Sequence, residues 1–169
     1  QRDPIHTAKQ VASVDALSNG RMIFGIGYGW NREEMAQHGT QYSQRRALLR
    51  ERILAMKALW TEDVAAYAGD LVTIEPSWAW PKPTQRPHPP IVLGGSAGPK
   101  TARDVAEFCD GWMPLGARSF KTGWDEVRRA CEDIGRDPQT IELGVFGAPS
   151  DEAKLTELAS LGLARAVLA

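Results

Sequence analysis

Two glycine-rich turns carry the residues best suited to chemistry. Gly94, Gly95, Ser96, Ala97, Gly98 and Pro99 follow the apolar run Ile91, Val92, Leu93 and stand directly before a helical pattern. Glycine lets a ligand come close to the backbone, and the N–H groups of a helix start favour an anion. Ser96 adds a hydroxyl donor, and Pro99 pre-sets the first helical turn. The run reads as a phosphate cradle, and the plain alternative is a βα turn that needs glycine only for its bend. The second candidate is Gly25, Ile26, Gly27, Tyr28, Gly29 and Trp30. It begins like a dinucleotide fingerprint, but Trp30 stands where the third glycine is required. At the C-terminal end of a strand, these glycines would let a flat ring lie on the backbone, with Trp30 as a wall. A glycine-rich strand end anchored by a tryptophan is the alternative.

Other groups offer less. Glu33, Glu34 and His38 fall on a short helical stretch where Glu34 and His38 share a face. No His-Glu-x-x-His pattern accompanies them, so an ion pair of Glu34 with Arg45 or Arg46 is preferred and no metal site is assigned. His6 and His88 have no visible partner and read as surface residues. No Ser-His-Asp or Cys-His signature is present, and the catalytic residue stays unassigned. The two cysteines, Cys109 and Cys131, lack metal-ligand spacing and read as reduced thiols of a cytoplasmic protein.

Composition narrows the partners. With 43% hydrophobic and 24% charged residues, the chain is globular. Its formal net charge of −1 gives no bulk attraction to nucleic acid or to an anionic membrane, so neither partner is expected. No apolar run is long enough to span a bilayer. Arg45, Arg46, Arg50 and Arg52 form the densest basic group and read as a solvated helix surface. The chain opens on Gln1 without a methionine, which suggests a fragment or a processed product.

The elements that must position the glycine turns follow from periodicity. Asp3 and Pro4 start a helix, and Ser18, Asn19 and Gly20 stop it. Residues 22–27 form a short apolar run between glycines, the pattern of a buried parallel strand. A long helix covers about 43–60, with Leu49, Ile53, Met56 and Trp60 on its core face. Over 61–90 the period changes. A hairpin or turn is expected at 67–71, and the prolines from Pro76 to Pro90 rule out regular helix. This stretch reads as an inserted surface excursion, in which Trp78 and Trp80 either cover a pocket mouth or pin the loop.

From there strands at 91–94, 111–115, 141–146 and 164–168 alternate with helices at 99–108, 120–134 and 150–161. Trp112 is assigned to the core. The alternation means βα units and a parallel sheet of about five strands. The fold class is α/β: a partial (β/α)8 TIM barrel forming a single domain over 1–169, with 61–90 inserted. A closed barrel usually needs about 250 residues, so roughly three first strands and a last helix are expected to be missing. An open five-stranded doubly wound sheet is the alternative.

In order, Leu17 to Arg21, Gly25 to Trp30 with Glu34 and Gly39, then Arg46, Leu59 and Trp60 resemble the luciferase-like monooxygenase family. The 81–95 stretch and Asp110, Gly111, Trp112 complete the likeness, which covers nearly the whole chain. Asn19 replaces a usual glycine there, a change that a helix C-cap tolerates. The resemblance implies a (β/α)8 barrel with its cofactor at the C-terminal ends of the strands. The Gly29-Trp30 form is most similar to the branch using the deazaflavin coenzyme F-420, with FMN as the alternative cofactor. It implies that Gly27, Tyr28, Gly29 and Trp30 line the cofactor's ring or side chain, and that Gly94, Gly95 and Ser96 hold its phosphate.

The implied activity is an oxidoreductase acting on a small organic molecule. It would transfer hydride at the deazaflavin C5, or activate oxygen on reduced FMN for monooxygenation. The family's groups for proton transfer fall on strands that precede this segment, so the chain alone is expected to be inactive. The competing reading is a non-catalytic barrel fragment that associates through open sheet edges, and a homo-oligomer is expected. A hydrolase or isomerase binding a sugar phosphate at the Gly94 turn would instead need a convergent acidic pair such as Asp110 and Glu142.

Overall fold

The structure, a computed structural model, describes residues 2–118 and 120–168. The chain packs as two compact units: one holds the residues up to Phe24 and Tyr28–Pro90, the other Gly25–Gly27 and the residues from Ile91 onward.

In the first unit, α1 (Pro4–Leu17) begins as the sequence requires. The Asp3 carboxylate accepts the His6 backbone N–H, and Pro4 occupies the first turn. Asn19 (φ 54°) and Gly20 (φ 73°) then turn the chain out of the helix. A short helix, α2 (Arg32–Gln37), and a 3-10 turn (Tyr42–Gln44) lead into α3 (Arg45–Thr61). Helices α1 and α3 share a core in which Ile53, Met56, Leu59 and Trp60 are buried, while Leu49 is only half-buried. The Trp60 indole N–H donates to the Ala8 carbonyl at 3.0 Å, joining the two helices where both are dry. The hairpin expected within the excursion is β2 (Ala65–Ala68) paired antiparallel with β3 (Thr73–Ser77). Buried Glu51 of α3 reaches its turn and accepts the N–H groups of Asp70, Leu71 and Val72 at 3.2, 2.8 and 2.8 Å.

The proline-rich stretch is fastened by polar side chains. Lys82 donates to the Leu59 and Glu62 carbonyls at the end of α3. Gln85 donates its backbone and side-chain N–H groups to the buried Asp15 carboxylate at 2.9 and 2.7 Å. The Trp80–Pro81 and Arg86–Pro87 peptides are cis. Trp78 and Trp80 are 79% and 64% exposed, so neither pins the loop by burial. His88, expected on the surface, is half-buried. Its ring packs on Trp60 at 5.8 Å between centroids, because the excursion folds back onto the end of α3. The four arginines expected to be solvated are half-buried too. Arg45 lies over the Tyr42 ring at 3.8 Å, and Arg46 over Tyr28 at 3.9 Å. The Arg45 and Arg46 guanidinium groups thus each find an aromatic face.

The second unit holds a five-stranded sheet in the order β1-β4-β5-β6-β7. The strands are β1 (Phe24–Gly27), β4 (Ile91–Gly94), β5 (Gly111–Trp112), β6 (Glu142–Ala148) and β7 (Arg165–Leu168). From β4 to β7 each pairs in parallel with the next. Helices α4 (Pro99–Phe108), α5 (Phe120–Asp133) and α6 (Glu152–Ser160) alternate with them. The strand order follows the chain without reversal. A doubly wound sheet turns back at a switch point, whereas a barrel advances in one direction, so this is a partial barrel. Buried Leu93, Val105, Phe108, Trp112, Val127 and Val145 form its core. Strand β1 departs from the expected burial. It lies at the sheet edge with Gly25 and Gly27 exposed, because only β4 pairs with it among the described residues.

Candidate functional site

Gly27 ends β1 and Gly94 ends β4. Strand residues alternate faces, and along β1 the exposed positions are Gly25 and Gly27. Strand β4 is buried through Ile91, Val92 and Leu93 and surfaces at Gly94. The structure brings Gly27 and Gly94 together: a Cβ on Gly27 would stand 3.7 Å from the Gly94 carbonyl oxygen. A Cβ on Gly94 would meet the Ile26 and Met113 carbonyl oxygens at 3.5 and 3.9 Å, and one on Gly25 would meet nothing within 4 Å. These are ordinary contacts, and none of the three residues has the positive φ that demands glycine. The described residues therefore leave room for a β-carbon at 25, 27 and 94, and the sequence leaves each one out.

Gly29 is different. Its φ is +76°, and a Cβ there would stand 2.4 Å from the Met35 methyl carbon, so the local backbone itself requires glycine. Tyr28 is half-buried and accepts a hydrogen bond from Arg46 at 2.8 Å. Trp30 is 83% exposed, which rules out the anchored-tryptophan alternative for that turn.

After β4 the chain runs through Gly95, Ser96 and Ala97 to Gly98, whose φ of 151° sets the entry into α4. Pro99 takes the first helical position, as the sequence indicated. Gly94 and Ser96 are exposed. The Gly95 carbonyl accepts the indole N–H of buried Trp112 at 3.0 Å, a link that local sequence did not reveal. A glycine interrupting the apolar face of α5, Gly123, was the available hint.

The remaining candidates do not converge here. Asp110 and Glu142 stand where β5 and β6 begin, the end of the sheet opposite to Gly94. The Asp110 carboxylate accepts the Ile91 N–H at 2.9 Å, and Glu142 pairs with Arg165 at 2.7 Å. The acid pair needed by a sugar-phosphate hydrolase or isomerase is thus engaged in structural contacts. Glu34 lies in α2 and His38 caps its C-terminal end, with the His38 N–H donating to the Glu34 carbonyl. Among the described residues no group of three or more His, Cys, Asp or Glu is placed to hold a metal. Cys109 and Cys131 are buried and are not joined in a disulfide, and burial pushes the Cys131 thiol above its usual range. Among the described residues no helix is long and apolar enough to cross a membrane.

Parallel strands in chain order, alternating with helices, define a partial (β/α) barrel. The chain belongs to the luciferase-like monooxygenase family, whose sequence pattern matches residues 1–158. An uncharacterized protein of Mycobacterium tuberculosis is 41% identical over 164 residues, covering 94% of this chain and 57% of that protein. The FMNH(2)-dependent dimethylsulfone monooxygenase of Pseudomonas putida is 35% identical over 148 residues, 84% of this chain and 39% of that one. The chain thus spans about half the length of the curated relatives it matches.

Among solved structures, an F420-dependent secondary alcohol dehydrogenase with an F420-acetone adduct superposes with a TM-score of 0.74 at 22% identity. That match covers 86% of this chain and 45% of the dehydrogenase. A long-chain alkane monooxygenase gives 0.75 at 15% identity over 94% of this chain and 43% of its own. At these identities the two structures establish the fold.

Proposed function

We propose that this chain carries the phosphate-holding part of a cofactor site in an oxidoreductase that uses coenzyme F-420, with FMN as the second choice. The observation that carries the reading is the set of glycines at 25, 27 and 94, which the fold does not require, beside an exposed Ser96. Their bare backbone fits a flat ring system, and the Ser96 hydroxyl and N–H fit a phosphate. Gly94, Gly95 and Ser96 would hold the phosphate. Gly27, Tyr28, Gly29 and Trp30 would contact the ring or side chain.

When bound, the cofactor would supply hydride transfer or, as reduced FMN, oxygen activation. The residues of this chain bind and orient it, and none of the candidates is assigned as acid or base. The Gly29-Trp30 form supports F-420, while the likeness to an FMNH(2)-dependent monooxygenase supports FMN. The substrate would be a small organic molecule and the compartment the cytoplasm; neither nucleic acid nor membrane would be a partner.

Fluorescence titration with F-420, and separately with FMN, tests the reading. Saturable micromolar binding of either is expected, tighter for F-420, and binding of neither refutes it. A second reading is favoured by the edges β1 and β7 and by exposed Phe146 and Leu168. In it, copies of the chain associate through these edges. Sedimentation as a monomer across micromolar concentrations would exclude that.

A further inference from the structure

Trp112 ends β5 and is fully buried, yet its one polar atom is spent on the Gly94 turn. The indole N–H donates to the Gly95 carbonyl at 3.0 Å. Two neighbours from α5 fix the ring. Phe120 stacks on it with centroids 6.0 Å apart and an interplanar angle of 10°. Gly123 lies so close that a Cβ there would stand 2.3 Å from Trp112 Cη2 and 2.7 Å from the Ala97 Cβ. Helix α5 thus packs at once on the indole and on the turn that the indole holds.

The peptide that Trp112 grips joins Gly95 to Ser96 and is trans, so its C=O and N–H point in opposite directions. With the carbonyl drawn inward to a buried donor, the Ser96 N–H is turned outward. Ser96 is exposed, and its N–H meets no acceptor among the described residues. A backbone N–H aimed at solvent beside a serine hydroxyl is a donor pair suited to an anion.

We infer that Trp112 is a positioning residue for anion binding: by holding the Gly95 carbonyl, it orients the Ser96 N–H toward a ligand phosphate. This deepens the proposed function and rests on it. A hydrogen bond to a charged acceptor is worth enough that misorienting it costs about tenfold in affinity.

The test compares FMN with riboflavin, which has the same ring and no phosphate. In the unaltered chain FMN should bind more tightly; equal affinities would refute the proposed phosphate site, and the inference with it. Given a preference, Trp112→Phe keeps an aromatic ring and removes the donor. It should cut the FMN-to-riboflavin preference about tenfold while leaving riboflavin affinity unchanged. A preference kept intact, or an equal loss for both ligands, overturns the positioning role and leaves the site standing. Because Trp112→Phe opens core space, a measurement on the unaltered chain accompanies it. On titration with inorganic phosphate, the Trp112 indole N–H and Ser96 amide resonances should shift with one midpoint. A Ser96 amide that moves while the indole stays still overturns the inference.

Discussion

Replacing Gly94 by alanine separates what the fold needs from what a ligand needs. The new Cβ would sit 3.5 Å from the Ile26 carbonyl oxygen and 3.9 Å from that of Met113, which is contact without overlap. Gly94 lies in a strand without positive φ, so alanine adopts its backbone freely and reduces the freedom of the unfolded chain. That effect stabilises by about 0.4–1 kcal/mol, which raises Tm by roughly 1–4 °C in a chain of this size. Binding should move the other way. A methyl on the exposed backbone takes the space that a ligand would occupy, and overpacking costs about 1–3 kcal/mol. The Kd for FMN should therefore rise at least about fivefold. Gly29→Ala is the contrast, because φ +76° strains any L residue. It should destabilise by about 1–2 kcal/mol, even if Met35 swings aside. Thermal unfolding by circular dichroism and FMN titration by fluorescence read both quantities on the same samples. If Gly94→Ala binds FMN like the unaltered chain, or unfolds as early as Gly29→Ala, the reasoning from dispensable glycines is wrong.

Two further substitutions probe the polar fastenings of the first unit. Burial pushes the Asp15 carboxyl up, but hydrogen bonds from Gln85, Thr84 and Met22 outweigh it and hold the group below its ordinary value. The carboxylate's contribution is therefore complete above the unfolded pKa of about 3.9 and is lost as pH falls through the lower folded value. Asp15→Asn should cost about 2 kcal/mol at pH 7 and flatten the acid end of the stability curve. Urea midpoints between about pH 7 and pH 3 decide it, and an unchanged acid slope counts against the assignment. Glu51→Ala strips the N–H groups of Asp70, Leu71 and Val72 of their common acceptor. A loss of about 3 kcal/mol and faster hydrogen exchange at Leu71 and Val72 are expected; unchanged exchange there would remove Glu51 as the hairpin's anchor.

Much of the architecture was legible because its signals are local. Asp3 and Pro4 announce a helix start within two residues, and Asn19 with Gly20 announces its end. The apolar run before Gly94 and the proline after Gly98 mark a strand-turn-helix without reference to anything distant. What escaped notice depends on contacts far apart in sequence. Arg46 looks like solvated charge until Tyr28, eighteen residues earlier, is placed against it. His88 looks free until the proline-rich excursion returns it to Trp60. Trp78 and Trp80 leave pocket cover and loop anchor equally open in the sequence, whereas in the structure Lys82 and Gln85 hold the excursion by donating to acceptors at Leu59 and Asp15. Trp112 is legible as core from sequence, but no spacing rule shows that its indole N–H reaches back to Gly95. Asp15 and Glu51 did leave a trace, as lone charges among apolar positions of their helices.

The central claim, a phosphate-bearing redox cofactor held at the end of β4, is tested most directly by mapping backbone amides in the nitrogen-proton spectrum as F-420 is added. The account predicts saturable shifts concentrated at Gly94, Gly95 and Ser96 and at Gly27 to Trp30, with Asp110 and Glu142 unmoved. Saturable shifts that leave Gly94 to Ser96 untouched would contradict it.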